Sequence, residues 1–156
     1  MTRKITGYIS EPHYGSWRNN LCIVADDEDG NMHMTDAENL SGTVAAYAAP
    51  MNIDKIYLDA YRQVTSVSGN SYPDAVKAVN DRIAAGCLIF NYVGHGSETG
   101  LAHERVIRTD NINSWNNKPM LPLFITATCE FSRFDDVDIN PVTGAVSSRT
   151  SAGEMV

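Results

Sequence analysis

The chain has 156 residues, enough for one domain with its own core, and is 43% hydrophobic and 20% charged, the balance of an ordinary globular protein. Its formal net charge of −7 argues against nucleic acid as a partner. No run approaches the roughly 18 apolar residues of a membrane-spanning helix, so no transmembrane segment is expected. Three cysteines, Cys22, Cys87 and Cys129, do not make a disulfide framework. Cys22 and Cys87 sit in apolar runs and read as core filling. Cys129 ends its run among polar neighbours.

Residues 1–20 show no clear period. Residues 5–9 predict a short edge strand, and residues 14–20 a loop with an anchoring aromatic. Residues 21–25 are all apolar, as in a strand buried on both faces, and they stop at the acidic loop Asp26-Asp27-Glu28-Asp29. Thr35-Asp36-Ala37-Glu38 is a capping-box pattern. The helix it opens should run to about Ala48, with Leu40, Val44 and Tyr47 on its buried face, until Pro50 stops it. Residues 53–58 read as a second strand. Residues 59–71 read as a loop with a turn at Gly69-Asn70.

Tyr72-Pro73-Asp74 opens a second helix with proline in its first turn. Ala75, Val76, Val79 and Ile83 line its buried face, and Gly86 caps it. Residues 87–93 form the third strand, which ends at Gly94-His95-Gly96-Ser97. Thr109-Asp110 should cap a short helix through Ile112 and Trp115. Residues 121–128 form the fourth strand, ending at Cys129. A polar loop carrying Asp135, Asp136 and Asp138 follows. Ser151-Ala152-Gly153-Glu154 is again a capping box, so a further helix begins where the chain stops. The expectation is a domain truncated at its C-terminus. Strands alternating with helices predict an α/β fold with a parallel sheet covered on both faces.

In such a sheet, ligands bind outside the carboxyl ends of the strands. If the third and fourth strands are parallel neighbours, His95 and Cys129 meet there, and a thiol beside an imidazole is a nucleophile beside its base. The glycines flanking His95 let the backbone turn sharply. They leave the Gly96 amide to donate to a substrate carbonyl as charge builds on it. Asp26 or Asp27 ends the first strand on the same edge and could orient the imidazole. His13, His33 and His103 lack such framing and read as surface histidines. No histidine pair has zinc-ligand spacing with a carboxylate or thiolate, so no zinc site is expected. The acidic clusters read as solvated loops, and calcium is the cation they would suit.

Asn91-Tyr92-Val93-Gly94-His95-Gly96-Ser97-Glu98-Thr99 resembles the histidine motif of the gingipain family of cysteine peptidases. Phe124-Ile125-Thr126-Ala127-Thr128-Cys129, with Phe134-Asp135, resembles its cysteine motif. The longer string from Thr126 to Asp136, with residues 14–19 and 24–29, is most similar to one branch. That branch is the gingipain-related C-terminal signal peptidase, or sortase, of the type IX secretion system in Bacteroidetes. The resemblance implies a three-layer α/β/α caspase-like fold, of which residues 1–156 are a part. It implies Cys129 as nucleophile, His95 as general base and acid, and the Gly96 N–H in the oxyanion hole. It places the third catalytic member at Asp27, with Asp26 one step away, and a substrate-binding carboxylate near Asp36 or Glu38. It implies a secreted or outer-membrane location, secreted protein substrates with a C-terminal secretion domain, and lipopolysaccharide as acceptor. A second reading is a non-catalytic caspase-like module whose acidic loops bind calcium and dock a partner. A third, a flavodoxin-like response module, lacks the lysine it needs at a strand end.

Overall fold

The computed structural model describes residues 2–135 and 137–156. It runs through helix α1 (Thr2–Ser10), strand β1 (Asn20–Ala25), helix α2 (Met32–Tyr47), strand β2 (Asn52–Tyr57), hairpin strands β3 (Val64–Ser66) and β4 (Gly69–Ser71), helix α3 (Pro73–Ala85) and strand β5 (Ile89–Val93). The short strands β6 (Gly96–Ser97), β7 (Gly100–Leu101) and β8 (Ile107–Arg108) precede helix α4 (Thr109–Ser114) and strand β9 (Leu123–Ala127). The hairpin strands β10 (Val137–Ile139) and β11 (Val146–Ser148) and helix α5 (Ala152–Met155) close the chain.

The apolar runs form the central sheet, in the order β2-β1-β5-β9, with every pair parallel. Side chains alternate across a strand, so β1 feeds two cores. Leu21, Ile23 and Ala25 pack with Ala37 of α2. Cys22 and Val24 join Phe90, Tyr92 and the α3 residues Ala75, Val79 and Ile83. The result is the three-layer α/β/α arrangement expected. Burial pushes the Cys22 thiol well up, and likewise holds Cys87 at about 11, so both are inert core residues.

Several local expectations are corrected. Residues 5–9 lie in helix α1; Ile5, Tyr8 and Ile9 follow a helical i, i+3, i+4 spacing. Helix α2 begins at Met32, so Thr35 is already inside it and bonds back to the Asn31 carbonyl (2.9 Å) instead of capping. Its sheet-facing residues are the small Ala37 and Ser41 with Val44, while Leu40 and Tyr47 point outward. Small side chains there let the helix lie close to β1. The stretch read as a loop contains the β3–β4 hairpin, pinned by Thr65 Oγ1 donating to Asn70 Oδ1 (2.9 Å), and Gly69-Asn70 belongs to β4. The polar stretch after Cys129 holds the β10–β11 hairpin; Asp136 lies outside the described residues. Strand β9 is not covered on both faces: Leu123 and Ile125 are 60% and 42% exposed, because the strand forms the rim of the sheet. The capping box at Ser151 is as expected, with Glu154 Oε2 accepting from the Ser151 amide at 2.7 Å.

Ile23 is fully buried at the centre of the β1–α2 layer. Ile23→Ala should lower unfolding stability by roughly 2–5 kcal/mol, read by urea unfolding of the variant beside wild type.

Candidate active site

Register decides which strand-end residues can meet. Ala25 aligns with Val93, and Val93 with Ala127. Two residues further, Asp27, His95 and Cys129 therefore share one row beyond the carboxyl ends of β1, β5 and β9. Two backbone bonds carry the pairing past the strands: the Asp26 amide to the Val93 carbonyl (3.1 Å) and the Gly94 amide to the Ala127 carbonyl (3.2 Å).

The glycines of the histidine turn are dictated by space. Gly94 has φ 153°, and a Cβ there would lie 2.4 Å from Asp26 Cβ and 2.6 Å from the Tyr92 hydroxyl. A Cβ on Gly96 would lie 2.3 Å from Thr128 Oγ1 and 3.0 Å from the Cys129 carbonyl oxygen. The histidine turn thus packs directly on the backbone that carries Cys129, whose side chain is exposed. Glu130, next in the chain, adopts a left-handed φ of 55°, a local strain of the kind that clusters at functional sites. The start of α5 fastens this loop: the Gly153 amide donates to the Phe131 carbonyl and the Ala152 amide to the Glu98 carbonyl, both at 2.7 Å.

The acidic loop is engaged by neighbouring groups, with Asp26 buried and Asp29 exposed. Asp26 is buried, and its carboxylate accepts from the backbone amides of His95 and Asp27, each at 2.9 Å. Tyr92 donates to the His95 carbonyl at 2.7 Å. Asp26 therefore fixes the His95 backbone and does not hold the imidazole. Asp27 accepts from the Tyr72 hydroxyl (2.5 Å). The imidazole instead meets residues that spacing alone did not single out. His95 Nε2 lies 3.1 Å from Asp29 Oδ2 and 3.7 Å from Glu28 Oε2. The His103 ring stacks on it at 4.8 Å, and His33 meets it edge-on at 5.1 Å. Glu28 also bonds His103 Nδ1 (2.7 Å), which holds the His103 imidazole above its ordinary pKa. The one sequence signal for this arrangement was Asp29 and His33 at i, i+4, a spacing that shares a helical face.

Of the two weaker substrate-site candidates, Glu38 is occupied. Its carboxylate takes Lys55 Nζ at 2.6 and 2.8 Å and the Tyr57 hydroxyl at 2.9 Å. Lys55 holds its pKa below the ordinary carboxylate value. That pairing fastens α2 to β2. Asp36 is exposed on α2.

Behind the row, Asp26, Asp27 and Glu104 bring three carboxylates within 4.8 Å of one another. Burial, then neighbouring acids, pushes Glu104 above the ordinary carboxylate range, and burial likewise raises Asp26. An acid raised in the fold contributes full stability while protonated and loses it as pH climbs through its raised value. Glu104→Gln keeps an acceptor for Gln63, which bonds Oε1 at 3.3 Å. It should raise the melting temperature at about pH 7, with the gain vanishing below about pH 4, as followed by thermal unfolding across that range. Gly94→Ala should cost roughly 2–4 kcal/mol and loosen the histidine turn, visible in urea unfolding and in faster exchange of the His95 amide.

Comparison with known proteins bears on the family and the fold. A family model described as Peptidase family C25 matches residues 1–156. The structure resembles that of the Arg-specific cysteine proteinase gingipain R, with a TM-score of 0.55 and 21% identity over 74% of this chain and 24% of that one. It also resembles the complex of the pro- and mature domains of RgpB from Porphyromonas gingivalis, with a TM-score of 0.51 and 22% identity over 69% of this chain and 23% of that one. The chain thus spans about a quarter of the length of these solved proteins, and the likeness is one of fold. No curated protein matches in sequence. With a model match over its whole length and a caspase-like sheet that sets a histidine turn against a cysteine loop, the chain belongs to Peptidase family C25.

Proposed function

We propose that this chain carries the catalytic centre of a cysteine endopeptidase, with Cys129 as nucleophile and His95 as general base and acid. The observation that carries the reading is the shared row of His95 and Cys129, with Gly96 packed on the Cys129 backbone. Asp29 takes the orienting role that the sequence reading gave to Asp27 or Asp26, because its carboxylate faces Nε2. That leaves Nδ1 to accept the thiol proton. The thiolate then attacks the peptide carbonyl carbon, and the oxyanion forms beside the Gly96 amide. As the C–N bond breaks, His95 returns the proton to the leaving amine. The thioester is released by water, or by an amine acceptor in a transfer reaction. Hydrogen bonds at such centres are often loose without substrate and tighten on binding.

The finer reading, removal of C-terminal secretion signals at the cell surface with lipopolysaccharide as acceptor, rests on the resemblance of residues 91–99 and 126–136 to the type IX branch. No helix among the described residues is long and apolar enough to cross a membrane. The alternative of a calcium-holding binding module is less favoured. The Tyr72 hydroxyl and backbone amides already occupy carboxylate oxygens of Asp26 and Asp27, and the groups around Glu28 and Asp29 are histidine nitrogens, which calcium does not take as ligands.

On the full-length protein, a thiol-directed peptidyl inhibitor should attach to Cys129, as mapped by peptide mass spectrometry. Cys129→Ala should abolish cleavage of a secreted substrate. Asp29→Asn should lower kcat by roughly ten- to a hundredfold with little change in KM. Wild-type cleavage by Cys129→Ala would overturn the reading.

A further inference from the structure

The histidines that frame His95 have no part in the reaction above, yet one of them points at the same atom. His33, on the first turn of α2, sends Nε2 to within 3.3 Å of Asp29 Oδ2. His95 Nε2 lies 3.1 Å from that same oxygen. The three donor atoms fall within 4.8 Å of one another. Zinc bonds of about 2.0–2.2 Å to nitrogen and oxygen set tetrahedral ligand atoms about 3.3–3.5 Å apart. Two edges of the triangle already have that length within a few tenths of an ångström.

A second observation points the same way. His33 Nε2 is buried and no hydrogen bond satisfies it, despite the nearby carboxylate. The two atoms stand 3.3 Å apart without hydrogen-bond geometry, and a cation between them would bind both. The backbone supports the approach. Asp29, Gly30 and Asn31 lie in succession at φ 54°, 62° and 68°, a costly conformation for the two non-glycine residues. This turn aims Asp29 back at His95 and starts α2 where His33 can reach it.

We propose that Asp29, His33 and His95 form a three-ligand zinc site, with the fourth position open to water. Spacing along the chain gives no expectation of zinc; the fold completes the set by bringing in His95 from the end of β5. Zinc on Nε2 would draw off the basicity of the imidazole, so the site would act as a reversible brake on the centre. That consequence rests on the peptidase reading. Binding itself does not.

The test is calorimetric titration of zinc chloride into the wild-type protein and three variants, each first checked for folding by circular dichroism. One zinc per chain should bind with a dissociation constant on the order of micromolar or tighter. His33→Ala and the near-isosteric Asp29→Asn should each weaken binding at least about tenfold. Cys129→Ala should bind as wild type does. If His33→Ala fails to fold, Asp29→Asn decides. Absence of saturable binding overturns the site, as does unchanged affinity in the folded variants or loss of binding in Cys129→Ala. Zinc binding without peptide cleavage would refute the peptidase reading and leave the site standing. Cleavage that zinc neither binds nor slows would do the reverse.

Discussion

The buried Asp26 carboxylate sets the position of His95, and much of the site depends on it. It sits just past the last residue of β1 and accepts the amides of His95 and of its own neighbour. Burying a carboxylate is costly unless its oxygens are satisfied, and here backbone donors from two adjacent strand ends satisfy it. The exchange works in both directions: the amides keep the charge tolerable, and the charge fixes where the chain turns after β5. Gly94 is the steric corollary, since a side chain there would occupy the space that Asp26 fills.

From that anchor the parallel register does the rest. With β5 between β1 and β9, a turn fixed on one side by Asp26 is pressed on the other against Thr128 and Cys129. The loop that follows Cys129 is held in turn by α5 and by Glu98, which pairs with Arg133 at 2.8 Å and Arg149 at 2.9 Å. Backbone and packing thereby bring His95 and Cys129 into one row at the sheet edge.

What the sequence discloses follows from how local each signal is. Residues 21–25 and 87–93 are legible because continuous apolar runs suit strands covered on both faces. Gly94-His95-Gly96 and Cys129 are legible because strand ends are where such a fold exposes chemistry. The role of Asp26 was misjudged: an acid at a strand end was assigned to the imidazole, although the nearest donor was the backbone amide of the same histidine. Asp29, His33 and His103 read from sequence as loop and surface residues because their meeting depends on three successive left-handed residues and on contacts between distant segments. Glu38 was read as a cap or a substrate ligand; Lys55, one strand over, claims it. Helix α1 was lost because three apolar residues in nine are too few to settle a period.

The central claim is that His95 and Cys129 act as a pair, and the rate of Cys129 alkylation with and without the imidazole tests it most directly. Cys22 and Cys87 are buried, so iodoacetamide reports on Cys129 in the folded protein. An imidazole partner takes up the thiol proton, so at about pH 7 wild-type alkylation should be at least about tenfold faster than that of His95→Ala. Equal rates for the two folded proteins would contradict the account.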